Sequence, residues 1–354
     1  MINSKDISII VQGAVKTKET TKCLKSLRKW LPQAEIILST WKNSDLKHLD
    51  ELYDKLVLNE DPGCYLGDDI LSIPQNLNRQ LVTTQNSVKL ANRKFIFKIR
   101  TDFYLEGNDF LKYWDMFPLQ KNEYKIFSHR IIVSSIYSRE ASYTTKRPIL
   151  FHPSDFYTFG LNEDIKNYYL NTKLATEEEL GSWQFKYPNK LPYLQSTHRY
   201  TAEQYICFSY IKQLHPEIQY EDWTDYNKDN IKISNLIMRN NFIFLNVQQS
   251  KINSRKHKYT LNRQNYFYGI INFEKFITYY MQDFGTNKKF TLLAKQEHYK
   301  YKLSQCCKNF VKPINSMLKF VEKTLKWFMN IFTFMKYLAD YIIVTIRSAI
   351  TSKK

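Results

Sequence analysis

Glycine and proline are scarce in this chain, 8 and 10 in 354 residues, which excludes collagen-like, linker-rich and repeat-turn designs. No segment repeats at a fixed period and none is of low complexity, so solenoid and array architectures are excluded as well. No G-x-G-x-x-G follows the first apolar run, which disfavours a dinucleotide-binding fold of the usual kind. Cysteine is limited to Cys23, Cys64, Cys207, Cys306 and Cys307. That odd count has no paired metal-ligand spacing, so reduced thiols in a cytoplasmic compartment are expected. The N-terminal MINSKDISIIVQ carries Asp6 and only a short apolar run, which makes it a strand and not a signal peptide.

Aromatic residues are plentiful instead, with 26 Tyr and 23 Phe, and hydrophobic residues reach 43%. Such a chain is not disordered, and its length suffices for a full core, as one large α/β domain or one domain with an appendage. The net charge of +18 is unevenly placed: residues 286–354 hold 14 Lys and Arg against 3 Asp and Glu. A localised basic excess points to an anionic partner met by the C-terminus. We therefore expect a body over residues 1–285 and a basic extension over 286–354.

Within the body, apolar runs alternate with helical periodicity. Residues 7–12, 35–40 and 55–58 predict strands, and residues 17–31 and 44–53 predict helices between them. This alternation implies a mostly parallel, doubly wound sheet. Residues 76–90 predict a further helix leading into the strand 95–99. After it come predicted strands at 125–128, 131–135, 148–160 and 241–248, with helices at 162–174, 177–181 and 201–214.

The strand 95–99 is the one the site is expected to form around. It ends in Arg100-Thr101-Asp102, and alternation along an extended chain puts Lys98, Arg100 and Asp102 on one face. Open α/β sheets bind ligands beyond the carboxyl ends of their strands, so this charged trio suggests phosphate and metal chemistry.

Taken together, the segments IIVQG (9–13), ILSTW (37–41), NRQ (78–80), KIRTD (98–102), DFYTFG (155–160) and RYTAEQ (199–204) resemble the WavE lipopolysaccharide synthesis family of bacterial glycosyltransferases. They carry the resemblance by their order and spacing over residues 7–258. It implies a GT-A-like, Rossmann-type sheet, a nucleotide-sugar donor, and a saccharide or lipid-linked acceptor in surface-polysaccharide assembly. On the donor side it directs attention to Gln12 and Gly13 for the nucleoside, Trp41 for stacking on the base, and Arg79 and Arg100 for the diphosphate, with Asn78, Lys98 and Asp102 as further donor-binding residues. Arginine suits that task because its guanidinium fork binds phosphate oxygens bidentately.

Asp102 corresponds to the surviving carboxylate of the Asp-x-Asp signature that holds Mn²⁺ or Mg²⁺ in GT-A enzymes. Arg100 stands where the first Asp would be, which leaves metal dependence open. Two catalytic candidates serve the acceptor. Glu203 ranks first as general base, and Asp155, among aromatics that can stack on sugar rings, ranks as acceptor contact or substitute base. His257 can approach the diphosphate from the basic loop 251–258.

Residues 313–350 carry an amphipathic helical pattern with a polar arc of about 140° at 100° per residue. Its charge-free runs are too short for the ~20 apolar residues of a membrane span. A helix lying on an anionic membrane surface is the expectation, which places the protein peripherally on the inner face of the bacterial inner membrane. A nucleotidyl- or phosphosugar transferase would use the same Arg and Asp residues. A basic nucleic-acid-binding protein is the other class to weigh, but the charge sits on an amphipathic tail and no nucleic-acid motif appears, so no nucleic-acid partner is expected.

Overall fold

All six residues of β1 (Ile7–Gln12) are buried, as a run of apolar and β-branched residues covered on both faces demands. The computed structural model describes residues 2–65, 74–143, 145–181, 199–223, 225–257 and 268–285, with the single residues 292, 296, 299 and 324. The chain divides into two units, Met1–Gly285 and Thr286–Lys354, and the following concerns the first.

After β1 come α1 (Thr17–Trp30), β2 (Glu35–Trp41), β3 (Lys55–Asn59), α2 (Leu77–Val88), β4 (Phe95–Arg100), β5 (Tyr104–Leu105) and α3 (Phe110–Trp114). The middle of the chain forms β6 (Ile131–Ser134), β7 (Arg139–Ala141), β8 (Pro148–His152), β9 (Tyr157–Leu161), α4 (Asn162–Leu170) and α5 (Glu177–Gly181). It ends with α6 (Ala202–Leu214), α7 (Lys228–Asn241), β10 (Phe242–Leu245), α8 (Val247–Ser250), β11 (Ile252–Asn253) and α9 (Phe273–Phe284).

Seven strands form one sheet in the order β10-β6-β9-β4-β1-β2-β3. β1 pairs in parallel with both β2 and β4, β2 with β3, and β6 with β10. Only β9 runs against its neighbours, β4 and β6. The expected mostly parallel α/β sheet is therefore present. From β1 the chain steps outward to β2 and β3, then returns to lay β4 on the other side of β1. That reversal opens a crevice at the carboxyl ends of β1 and β4, where α/β sheets take ligands.

Helices cover both faces, and β4 shows the division. Phe95 and Phe97 pack against Trp114 and Phe110 of α3, with ring centroids 5.1 and 4.9 Å apart. Lys98 points to the opposite face, its Nζ 5.9 Å from the Tyr169 ring of α4. α1 forms where Cys23, Leu24 and Leu27 give one buried stripe, and Pro32 cannot continue it. α6 begins at Thr201, which forms a reciprocal capping box with Gln204, a pair that satisfies two otherwise free backbone N–H groups.

Several sequence expectations are corrected. Residues 44–53 form turns closed by i→i−3 bonds such as Leu49 N to Leu46 O, not a helix; Leu49 is their single buried apolar side chain, too little for a packed helical face. Residues 125–128 form no strand, because their backbone is bonded elsewhere: Ile126 N donates to Asn241 Oδ1 and Ser128 N to Asp164 Oδ1. The run 148–160 is two strands, β8 and β9, broken after His152 by Pro153, which has no N–H for a ladder. Helices α3, α7, α8 and α9 were not anticipated; the Phe- and Tyr-dense α9 has a composition that propensity assigns to strands. The amphipathic stretch 313–350 lies outside the described residues apart from Thr324. Among the described residues no helix is long and apolar enough to cross a membrane.

β9 fits between β4 and β6 only because of Gly160. A Cβ there would lie 2.7 Å from Ile131 Cγ2, and a β-branched side chain has little freedom to move aside. Gly160→Ala is therefore expected to lower stability by about 1–3 kcal/mol, measured as a fall in Tm. An unchanged Tm would show that β6 can yield at this contact.

Candidate functional site

A cleft of about 600 Å³ occupies the crevice at the carboxyl ends of β1, β2 and β4. Gln12 and Gly13 end β1, Trp41 ends β2, and Arg100, Thr101 and Asp102 end β4; all six line it. Gly13 has φ +117° and a Cβ would stand 3.4 Å from Thr101 Oγ1, so the position favours glycine both for its left-handed backbone and for close approach of the neighbouring strand. Gln12 is held, its Oε1 accepting from Thr83 Oγ1 of α2 at 2.8 Å. Arg79 and Gln80, from the first turn of α2, form part of the wall, and Gln80 Nε2 has no hydrogen-bond partner among the described residues.

Two arginines dominate the cleft, each held by an aspartate through two bonds. Arg100 donates from Nε to Asp102 Oδ1 at 3.0 Å and from Nη2 to Oδ2 at 2.8 Å. Arg79 donates from Nε and Nη2 to the two oxygens of Asp61, both at 2.7 Å. Each guanidinium is thereby fixed in orientation, its Nε–Nη2 edge engaged by the carboxylate and only its remaining N–H groups left to meet an anion. The second loop of the site brings Lys256 and His257 over Asp102: Lys256 Nζ and His257 Nε2 lie 3.9 and 3.7 Å from Oδ2. The His257 ring packs against Phe156 and Phe103, with centroids 4.9 and 5.7 Å apart. Burial works against ionisation of Asp102, but the His257 ring and the Arg100 guanidinium outweigh it and hold the carboxyl well below the usual carboxylate range.

Beyond Arg100 stands a second group of charges. Asp155 follows β8, and its main-chain oxygen accepts from Lys98 Nζ at 2.5 Å. Glu203, in the first turn of α6, has Oε2 3.8 Å from His152 Nε2 and is only 15% exposed. Burial first, and the Asp155 carboxylate second, push Glu203 up to about 7. Burial and the nearby Arg139 push His152 down to about 3, so at neutral pH it brings no charge to Glu203. Burial likewise lowers the Lys98 ammonium to about 8, against the pull of Asp155. Burial opposes the charge of Arg100, Asp102 favours it most among the acids, and Asp155 and Glu203 favour it less.

Seven of the eleven expected site residues, Gln12, Gly13, Trp41, Arg79, Arg100, Asp102 and His257, meet in the cleft. Asp155 and Glu203 lie together beyond Arg100. Lys98 is fully buried behind the strand. Asn78 is not on the lining: its amide bonds both the carbonyl and the N–H of Ala175, at 2.9 and 2.8 Å. Sequence reasoning missed Asp61, Lys16, Glu19, Gln80, Thr101 and Lys256. Asp61 carried a usable signal, standing in the Asp-Pro-Gly turn after β3.

No three His, Cys, Asp or Glu side chains come together to hold a metal ion among the described residues. Asp102 already accepts from Arg100 through both oxygens, and the other lining aspartate, Asp61, does the same with Arg79.

The family described as WavE lipopolysaccharide synthesis matches residues 7–315 of this chain, further than the segments through residue 258 that carry the resemblance. No curated protein matches it.

The depressed acidity of Asp102 has a direction in pH. Stability from such a group is present above the ordinary carboxylate range and is lost as pH falls through that range toward the folded-state value. Asp102→Asn removes the charge and should lower stability at pH 7 by about 1–3 kcal/mol. In thermal melts the gap to the parent protein should narrow as pH falls below about 4. A gap that is constant with pH would assign the loss to packing and not to the ion pairs.

Proposed function

The chain belongs to the WavE lipopolysaccharide synthesis family, and on that premise we propose that it is a GT-A-like glycosyltransferase, moving a sugar from a nucleotide-sugar donor to a lipopolysaccharide or surface-polysaccharide acceptor. The observation that carries this reading is the sequence of two charged compartments joined at Arg100. One holds the arginines at the carboxyl ends of the strands; the other holds two part-buried carboxylates, Asp155 and Glu203. A nucleotide sugar needs both, a cationic place for its diphosphate and a base for the acceptor hydroxyl.

In this reading Gln12 and Gly13 receive the nucleoside and Trp41 stacks on the base. Arg79 and Arg100 neutralise the diphosphate as it becomes the leaving group. Donors set in place before the reaction stabilise such developing charge without having to reorganise. The acceptor hydroxyl lies against Glu203, which takes its proton as the oxygen attacks the anomeric carbon and the nucleoside diphosphate departs. Asp155 is the acceptor contact; burial, and the Asp155 charge after it, keep Glu203 at a proton affinity suited to a base near neutrality. The basic residues 286–354 hold the enzyme on an anionic membrane surface, on the cytoplasmic face of the inner membrane, near lipid-linked acceptor.

Glu203→Gln keeps shape but cannot take a proton, so kcat should fall by about 10²–10⁴-fold while donor affinity, read by calorimetry, stays close to that of the parent. A base works deprotonated, so the parent rate should rise with pH through about 7, and the variant should lose that limb. If Asp155→Asn abolishes the limb and Glu203→Gln does not, the two residues exchange roles.

Membrane association is tested separately. Deleting residues 313–354 should move the protein to the soluble fraction and leave transfer to a soluble acceptor analogue intact. Changing Lys319, Lys323 and Lys326 to Glu should weaken binding to anionic vesicles far more than to neutral ones, since each basic residue near such a surface contributes roughly 1 kcal/mol. Retention of the shortened chain on membranes would reject this part of the proposal.

A further inference from the structure

The balance of charge around Asp102 bears on how the cleft would hold a diphosphate, given the donor reading above. A carboxylate that serves as a metal ligand must keep an oxygen free for the cation, and Mg²⁺ or Mn²⁺ needs several oxygen ligands close at hand. Asp102 presents the reverse arrangement. Both oxygens accept from the Arg100 fork, and Lys256 and His257 close on Oδ2 from the other loop at 3.9 and 3.7 Å. A divalent ion approaching Asp102 would meet N–H groups and positive charge. The cations themselves are well placed for an anion. Arg100 is stiffened by its ion pair and by the Phe156 ring 5.3 Å from its Cζ, while Lys256 is 57% exposed with its ammonium at the cleft.

We infer that fixed protein cations, Lys256 and Arg100 foremost, bind the diphosphate in place of a divalent metal ion, and that Asp102 is their internal counter-ion and orienting partner. The carboxylate offsets the mutual repulsion of Arg100 and Lys256 and keeps the guanidinium in plane. An arriving diphosphate adds the negative charge that the cluster lacks. Lys256 is thereby assigned a binding role, and the Arg100 position becomes the one that selects between guanidinium and metal.

The test is calorimetric titration of the full chain with UDP, GDP, ADP and TDP, in EDTA and again in Mn²⁺. At least one should bind with affinities within about threefold of each other in the two conditions. Lys256→Ala, a change at an exposed side chain that the fold does not need, should weaken that binding about tenfold or more in both conditions. Arg100→Asp should abolish binding in EDTA; a matched far-UV spectrum and Tm establish that the variant is folded. Binding by the parent that appears only with Mn²⁺ would overturn this inference and leave the donor reading standing. Binding untouched by Lys256→Ala would also overturn it. Absence of nucleoside diphosphate binding in either condition would overturn the donor reading, and this inference with it.

Discussion

The paired fork of Arg100 and Asp102, at the carboxyl end of β4, is the interaction around which the rest of the site is arranged. β4 ends at Arg100, and the turn that follows it, closed by Phe103 N donating to Arg100 O, carries Asp102 back onto the guanidinium, where an extended chain would only have placed the two on one face. The sheet then decides what they meet. Parallel pairing of β1 with both β2 and β4 sets Gln12 beside Arg100 and beside Ser39, and the reversal of strand order at that place leaves a crevice where the pair is reachable. The same ion pair ties the loop carrying Lys256 and His257 to the sheet edge.

Arg100 also links the two halves of the proposed chemistry. On one side are the cleft and the Arg79–Asp61 fork; on the other are Asp155 and Glu203, whose charges it feels through the protein interior. Burial raises the proton affinity of Glu203, while nearby cations lower that of Asp102. Environments that push two carboxylates apart in this way allow one to move a proton and the other to remain a fixed charge. Lys98, buried behind the strand and bonded to the Asp155 main chain, sits where it can hold the acid pair against β4.

Much of this was legible in the residues. Runs rich in apolar and β-branched residues announced β1, β2 and β4, because strands covered on both faces must be largely apolar. The polar ends of those runs named Gln12, Trp41, Arg100 and Asp102. Asn78 shows where that logic stops: it stands in the same NRQ segment as Arg79, yet one helical residue turns the chain by about 100°, and Asn78 is directed to Ala175 while Arg79 faces the cleft. Asp61 and Lys256 were harder to see, since they come from loops whose course depends on packing between distant elements.

By itself, then, the sequence determined the parallel α/β sheet, the strand ends that carry the site, and the family, because those follow from local patterning and from motifs in order. Tertiary structure alone decided that residues 125–128 are not a strand, that Gly160 must be small, and that Lys256 and His257 close on Asp102 from a distant loop. The reason is the same in each case. These outcomes depend on contacts between residues far apart in the chain: Ile126 with Asn241, Gly160 with Ile131, Asp102 with Lys256 and His257. A pattern of period two or 3.6 reports which face a residue takes, and says nothing of what arrives opposite that face.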